Sequence, residues 1–298
     1  MANAFPSGRA AILACLELAG IGSDGVVATP ECVSACVGNA VRRRARPVPV
    51  RLAVDGSSQP GAAIVYEQWG WPLPMDAEDA VQARFTGVQV IVDRVDSADF
   101  FSAPRTWGGF EILSLSKVLG LDAGGIARRR MDGALLRFEP ALNSRRAPSA
   151  DHPGLVSHPA VRELFKQSKF VHPSSIRWLA DNCAVSALEA ERRARSTAAR
   201  LILDSPLGAG WPTWMAQAIE SGAGPVWAPV LRGVEPAVHA RAIASLEREL
   251  GIRAAVRMFN WTGNPLWPQY EPSVALPIHS ALMCPARAVS LLQCLAMT

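Results

Sequence analysis

Gly109-Phe110-Glu111-Ile112-Leu113-Ser114-Leu115-Ser116-Lys117 reads as a short apolar strand that ends in a small polar turn carrying one lysine. Comparable runs lie on either side of it. Gly25 to Thr29, Val48 to Leu52, Gly61 to Tyr66 and Gly87 to Asp93 precede it, and Gly124 to Ala127 leaves a glycine turn behind it. Helical patterns alternate with these runs. Arg9 to Ala19 is apolar-periodic with Ser7 as its N-cap, Cys32 to Arg43 follows, and Asp76 caps a helix to about Arg84. Short apolar strands alternating with helices imply an α/β fold, a three-layer arrangement in which a mostly parallel sheet is covered on both faces.

The pattern changes in the second half. Asn143 to His158 is rich in Pro, Ser and Arg and reads as a loop or linker. A long helical pattern rich in Ala, Glu and Arg runs from about Ile176 to Leu203, long enough to bridge two units. After Asp204 come a strand (Val226 to Leu231), a helix (Pro236 to Leu250), strands at Ala254 to Met258 and Ser273 to Leu276, and a helix from Pro285 to Leu295. The expected division is a large domain over 1–204, including the linking helix, and a small C-terminal α+β domain over 205–298.

The bulk numbers narrow the function classes. A chain of 298 residues with 49% apolar composition supports a large core and argues against disorder. Its net charge of +4 is mild. The tight basic runs, Arg42 to Arg44 and Arg128 to Arg130, read as solvated faces rather than nucleic-acid contacts. The six cysteines form no CxxC pair. Cys32 and Cys36 are expected to share one helix face, and Cys15, Cys183 and Cys294 to be reduced core residues. No membrane-length apolar run and no basic-apolar leader is apparent, so a cytoplasmic protein is expected. His152, His158 and His172 lack metal-ligand spacing, and no metal site is expected.

Lysine is scarce: the chain has only Lys117, Lys166 and Lys169, and arginine supplies every other basic side chain. A lysine amine condenses with an aldehyde and a guanidinium does not. Lys117 is therefore a candidate anchor for pyridoxal 5′-phosphate (PLP); a surface lysine after a strand is the competing reading. PLP also needs a phosphate cradle and an acid at its ring nitrogen. Ser7-Gly8-Arg9, opening a helix, offers free N–H groups and the positive end of a helix dipole, or is an ordinary N-cap. Ser114 and Ser116 can add hydroxyl contacts. Asp93 ends the Val88-to-Val92 run, where open α/β sheets bind ligands, with Asp96 and Asp99 close behind. For a residue packing on the cofactor ring, Trp69 and Trp71 follow one strand and Cys32 and Val33 another, although tryptophan clusters more often build cores. His279, Tyr270, Asn260, Arg177 and Arg257 are weaker candidates for lining a pocket or meeting an anion.

Taken in order, Ser-Gly-Arg before a helix, Val-Ile-Val-Asp, then Phe-Glu-Ile-Leu-Ser-Leu-Ser-Lys and Ala-Gly-Gly resemble the DegT/DnrJ/StrS family of PLP-dependent fold type I aminotransferases. Gly251-Ile252-Arg253 and Ala275-Leu276-Pro277-Ile278-His279 resemble its C-terminal segments. The resemblance implies that Lys117 bonds the cofactor, that Asp93 meets the pyridine nitrogen, and that Ser7, Gly8, Arg9 and Ser114 hold the phosphate. It implies glutamate or glutamine as amino donor and a keto sugar, often nucleotide-linked, as acceptor. It also implies a homodimer; from the charge and the apolar runs, no nucleic-acid or membrane partner is expected. The chain departs from the family at Arg9, at Asp96 (usually Gln or His) and at Ser175-Ile176-Arg177-Trp178, and it is short after Lys117. These departures motivate a second expectation, a PLP-binding regulatory or partner subunit with altered catalysis.

Overall fold

The computed structural model describes residues 4–5, 7–56, 58–99, 108–119, 124–130, 134, 184–279 and 285–296. Seven strands form the larger sheet: β1 (Ala4–Phe5), β2 (Val26–Thr29), β3 (Arg46–Pro49), β4 (Ala62–Tyr66), β5 (Gln89–Asp93), β6 (Phe110–Ser114) and β7 (Gly125–Arg129). Their order is β1-β7-β6-β5-β4-β2-β3. The pairs from β3 to β6 are parallel; β7 is antiparallel to β6 and to β1. Side-chain alternation divides two cores. Ala62, Ile64 and Ile91 pack with α1 (Gly8–Leu18) and α2 (Ala35–Arg42) on one face. Ala63, Val65, Val90 and Val92 pack with α3 (Val50–Val54) and α4 (Met75–Arg84) on the other. Both faces are covered, which is why these strands are apolar almost throughout. Leu115–Leu119 forms a short α5 directly after β6.

A second, antiparallel sheet, ordered β8-β10-β9, comprises β8 (Trp227–Val230), β9 (Ala255–Asn260) and β10 (Tyr270–Pro277). The long helix α6 (Ala184–Leu203), α7 (Thr213–Glu220), α8 (Pro236–Leu250) and α9 (Pro285–Ala296) accompany it. No helix among the described residues is long and apolar enough to cross a membrane. The expected linker 143–158, the first residues of the expected long helix, Cys183, Lys166, Lys169, Arg177 and the three histidines named above lie outside the described residues.

Several expectations are corrected. The strand expected to Leu52 ends at Pro49, and Val50–Val54 is helical, burying Val50 and Ala53. Pro49 holds an extended ψ of 141° at that helix's N-cap, and Pro47 lacks the N–H that an interior strand would need, consistent with β3 being an edge. Pro74, not Asp76, caps α4; Asp76 sits in its first turn, where a carboxylate favours the dipole. Cys32 precedes α2 and so shares no helix face with Cys36. Cys294 is exposed, while Cys15 is buried. Arg128 and Arg130 are buried rather than solvated. Asn260 and Tyr270, expected between strands, lie at the end of β9 and the start of β10.

Candidate active site

Register brings the polar ends of the parallel strands level. Tyr66 pairs with Asp93 across β4 and β5, and Asp93 with Ile112 across β5 and β6. Beyond this edge lies a cavity of about 570 Å³. Cys32 and Ser34 line it from the segment after β2, Tyr66 from the end of β4 with Gln68 and Trp69 just beyond, Asp96 from the segment after β5, and Ser116, Lys117 and Val118 from α5. Its opposite wall comes from α6 (Glu191, Arg195) and the smaller sheet (Val226, Trp227, Arg257, Met258, His279). A cleft at the carboxyl edge of a parallel sheet is where α/β folds bind ligands.

Lys117 sits in the first turns of α5 with its side chain 45% exposed. Its Nζ stands 3.4 Å from Asp96 Oδ1, and Asp96 Oδ2 accepts a hydrogen bond from the Tyr66 hydroxyl. The Tyr66 oxygen in turn accepts from the Trp69 N–H at 3.2 Å. Burial alone would lower the Lys117 pKa, but Asp96 and Asp93 together hold it above the ordinary lysine value. Burial, reinforced by Asp96, pushes the Tyr66 phenol well up.

Asp93 is buried behind this lining, 3% exposed, with Oδ1 accepting from the Val95 N–H at 3.1 Å. Burial pushes its carboxyl up to about 7; Lys117 pulls it down, and Asp96 and Glu67 push it up again. Two acids thus act on the Lys117 amine, Asp96 from the cavity lining and Asp93 from behind it.

Ser7 caps α1 as expected, its Oγ accepting from the Ala10 N–H at 3.2 Å. Gly8 is buried against the strand ends: a Cβ there would stand 3.2 Å from Val95 Cγ1 and 3.5 Å from Ser114 Cβ. Ser114 is buried, and its hydroxyl lies 2.9 Å from that of Ser116, which lines the cavity. The structure therefore brings Gly8, Ser114, Ser116 and Lys117 into one continuous corner, with Asp93 below it. Arg9 is exposed.

Arg195 was not foreseen. It is fully buried on α6; its Nη1 donates to Asp96 O (3.1 Å), its Nη2 to Val118 O (2.9 Å), and its Nε to Glu191 Oε1 (2.7 Å). Burial pulls its guanidinium below the ordinary value, against Glu191. Trp69 and Trp71 are buried in the core shared with the smaller sheet, and Trp69 also faces the cavity. His279 lines the cavity, its imidazole pushed down by burial.

No protein-family model matches the sequence, and no curated protein matches it. Solved structures do match by fold. A DegT/DnrJ/EryC1/StrS aminotransferase from Brucella abortus superposes with a TM-score of 0.61 at 18% identity, over 99% of this chain and 86% of that one. The aminotransferase TlmJ from Streptoalloteichus hindustanus gives 0.60 at 18%, with the same coverage. A candidate sugar aminotransferase from Streptococcus pneumoniae, in its PMP form, gives 0.56 at 12%, over 99% and 86%. The expected α/β architecture, that of fold type I, is thus the architecture of this chain.

Proposed function

We propose that this chain is a PLP-dependent aminotransferase of the DegT/DnrJ/StrS kind, moving an amino group from glutamate or glutamine to a keto sugar. The observation that carries the reading is Lys117, whose amine meets a cavity at the carboxyl edge of the sheet above the buried carboxyl of Asp93. The similar folds, among them aminotransferases, support it.

The residues fit the cofactor. The α1 N-terminus and the Ser114–Ser116 hydroxyl pair suit a phosphate, because unpaired helix N–H groups and the dipole favour an anion. The buried Asp93 carboxyl, pushed up to about 7, would ionise on pairing with a protonated pyridine nitrogen. When bound, the cofactor supplies an aldehyde carbon and a ring that accepts electrons from the substrate Cα.

The chain's own residues do the rest. Lys117 would hold the cofactor at that aldehyde carbon, and its amine, when free, would carry a proton from the substrate Cα. Asp93 would pair with the ring nitrogen and keep it protonated. Trp69, Trp227 and Met258 supply the apolar part of the cavity lining, against which the cofactor and substrate would pack. Arg257, exposed at the rim on β9, meets the carboxylate of the donor or a phosphate of the acceptor. The reading brings with it a homodimer, a cytoplasmic setting and small-molecule donor and acceptor.

The experiment is direct. Protein loaded with PLP turns yellow, borohydride then fixes the cofactor on Lys117 by peptide mapping, and glutamate releases 2-oxoglutarate from unreduced protein. Lys117→Ala abolishes the band and the release. Label at another position, or none, refutes the assignment. A bound cofactor that no donor ever converts supports the regulatory or partner subunit instead.

A further inference from the structure

Lys117 pairs with one carboxylate that is itself held from several sides. Asp96 pairs with it at 3.4 Å and is itself fixed by the Tyr66 hydroxyl. The buried guanidinium of Arg195 ties Asp96 O and Val118 O together, so the backbones that carry the acid and follow the amine share one clamp. Gly70, with φ of +84°, lies so close that an added Cβ would stand 2.5 Å from Asp96 O. The carboxylate is therefore held at a set distance from the amine by contacts from β4, from the turn after it and from α6.

We infer that Asp96 is a positioning residue that aims the Lys117 amine and stabilises the ammonium formed when that amine takes a proton from carbon. The inference rests on the reading of Lys117 as the proton carrier. In that step the amine lone pair takes the substrate proton and the C–H electron pair stays on the carbon. Positive charge then arrives beside a fixed carboxylate, the arrangement by which an aspartate supports a catalytic histidine. A neutral amide in the same place can accept a hydrogen bond from the ammonium but lacks the opposing charge. Asp93 beneath and Cys36 on α2 act on the same amine, and Arg195, Glu191, His279 and Arg257 face it across the cavity. The test is therefore the difference made by Asp96 alone.

In cofactor-free full-length protein, acylation of Lys117 by acetic anhydride is followed against pH by peptide mass spectrometry, with Lys166 and Lys169 as internal references. Asp96→Asn, and Asp96→Ser as a second variant, move the half-labelling pH of Lys117 down by about one unit or more, the shift expected on losing an opposite charge within reach. The reference lysines stay where they were. An unmoved Lys117 profile in a folded variant overturns the inference. Because no cofactor takes part, a chain that never binds PLP still gives this answer, and the two failures are told apart. In loaded protein, Asp96→Asn lowers kcat at least tenfold with KM little changed; a rise in KM alone counts against it.

Discussion

Asp93 carries its carboxyl at the end of β5 among other acids, and its pKa of about 7 against a model-compound 3.8 has a thermodynamic consequence. Between about pH 4 and 7 the unfolded chain has released this proton while the folded chain keeps it. The folded state binds more protons there, so the stability of cofactor-free protein falls as pH rises through the window, by up to about 1.4 kcal/mol per unit. Asp93→Asn removes this slope, and urea unfolding at pH 5 and pH 8 measures it; an equal slope in the variant contradicts the assignment. Lys117 was legible in the sequence because lysine is rare in this chain, and Asp93 because it ends an apolar run. Tyr66 was missed although the chain has two tyrosines and this one ends β4 level with Asp93. The hydroxyl's partner, Asp96, was visible as a neighbouring acid behind Asp93 and as a departure from a family pattern, but not as the partner of the lysine. Arg195 was illegible: among the many arginines of α6, only the packed structure shows which one turns inward.

The N-terminus of α1 is placed by β7 as much as by its own cap. A Cβ at Gly125 would come within 2.5 Å of Ser7 C and O and 2.6 Å of Gly8 N, all backbone atoms. Gly125→Ala therefore pushes the helix end away from the Ser114–Ser116 corner. We expect a stability loss of about 1–3 kcal/mol, typical of overpacking, with PLP affinity weakened at least tenfold by equilibrium titration; unchanged affinity would remove this corner from the phosphate site. The neighbouring strands carry a different constraint. Glu111 on β6 is buried with Oε1 2.6 Å from Arg128 Nε and Oε2 3.1 Å from Arg94 Nη1, and Arg94 Nε reaches Glu67 at 2.8 Å. Burial would raise the Glu111 carboxyl, yet the two arginines hold it below its usual value. Glu111→Ala leaves two buried guanidinium groups without their shared acid and costs about 3–5 kcal/mol in chemical denaturation. The run Arg128 to Arg130 read as a solvated face because charge patterning alone does not show that β7 returns antiparallel beside β6. The turn of Val50 into a helix was hidden for a related reason: valine and leucine suit a buried strand as well as a short buried helix, and only packing decides.

At the scale of the molecule, the change of pattern after Asp204 marks a change of architecture, and the division into 1–204 and 205–298 is our proposal for the chain's organisation. The packing makes these parts interdependent. The core of the smaller sheet takes in Trp69 and Trp71 from the segment after β4, and Ala198, Ala199 and Ile202 from α6. Trp71 Nε1 donates to Trp227 O (2.9 Å), the Val226 N–H donates to Trp69 O (2.8 Å), and the Gln68 amide bridges Met258 O and the Asn260 N–H. Trp69 lies 4.9 Å from Phe259 between ring centres, and Trp71 meets Trp211 edge-on at 5.3 Å. A fragment 205–298 lacks both tryptophans and the helix beneath them, so it exposes the apolar surface they cover. We expect it to show no cooperative melt, and a fragment 184–298, with α6 restored, to remain well below the full chain. In the full chain, Trp71→Ala costs about 3–5 kcal/mol, as for other large-to-small core changes. Near- and far-ultraviolet circular dichroism should still report one coincident transition, because the tryptophan cluster couples the two sheets. Independent folding of 205–298, melting with the full chain's midpoint, would show instead that the cavity between the sheets is built by two parts that hold their shape alone, and the Trp69–Trp71 segment would then be a contact across a hinge rather than part of a common core.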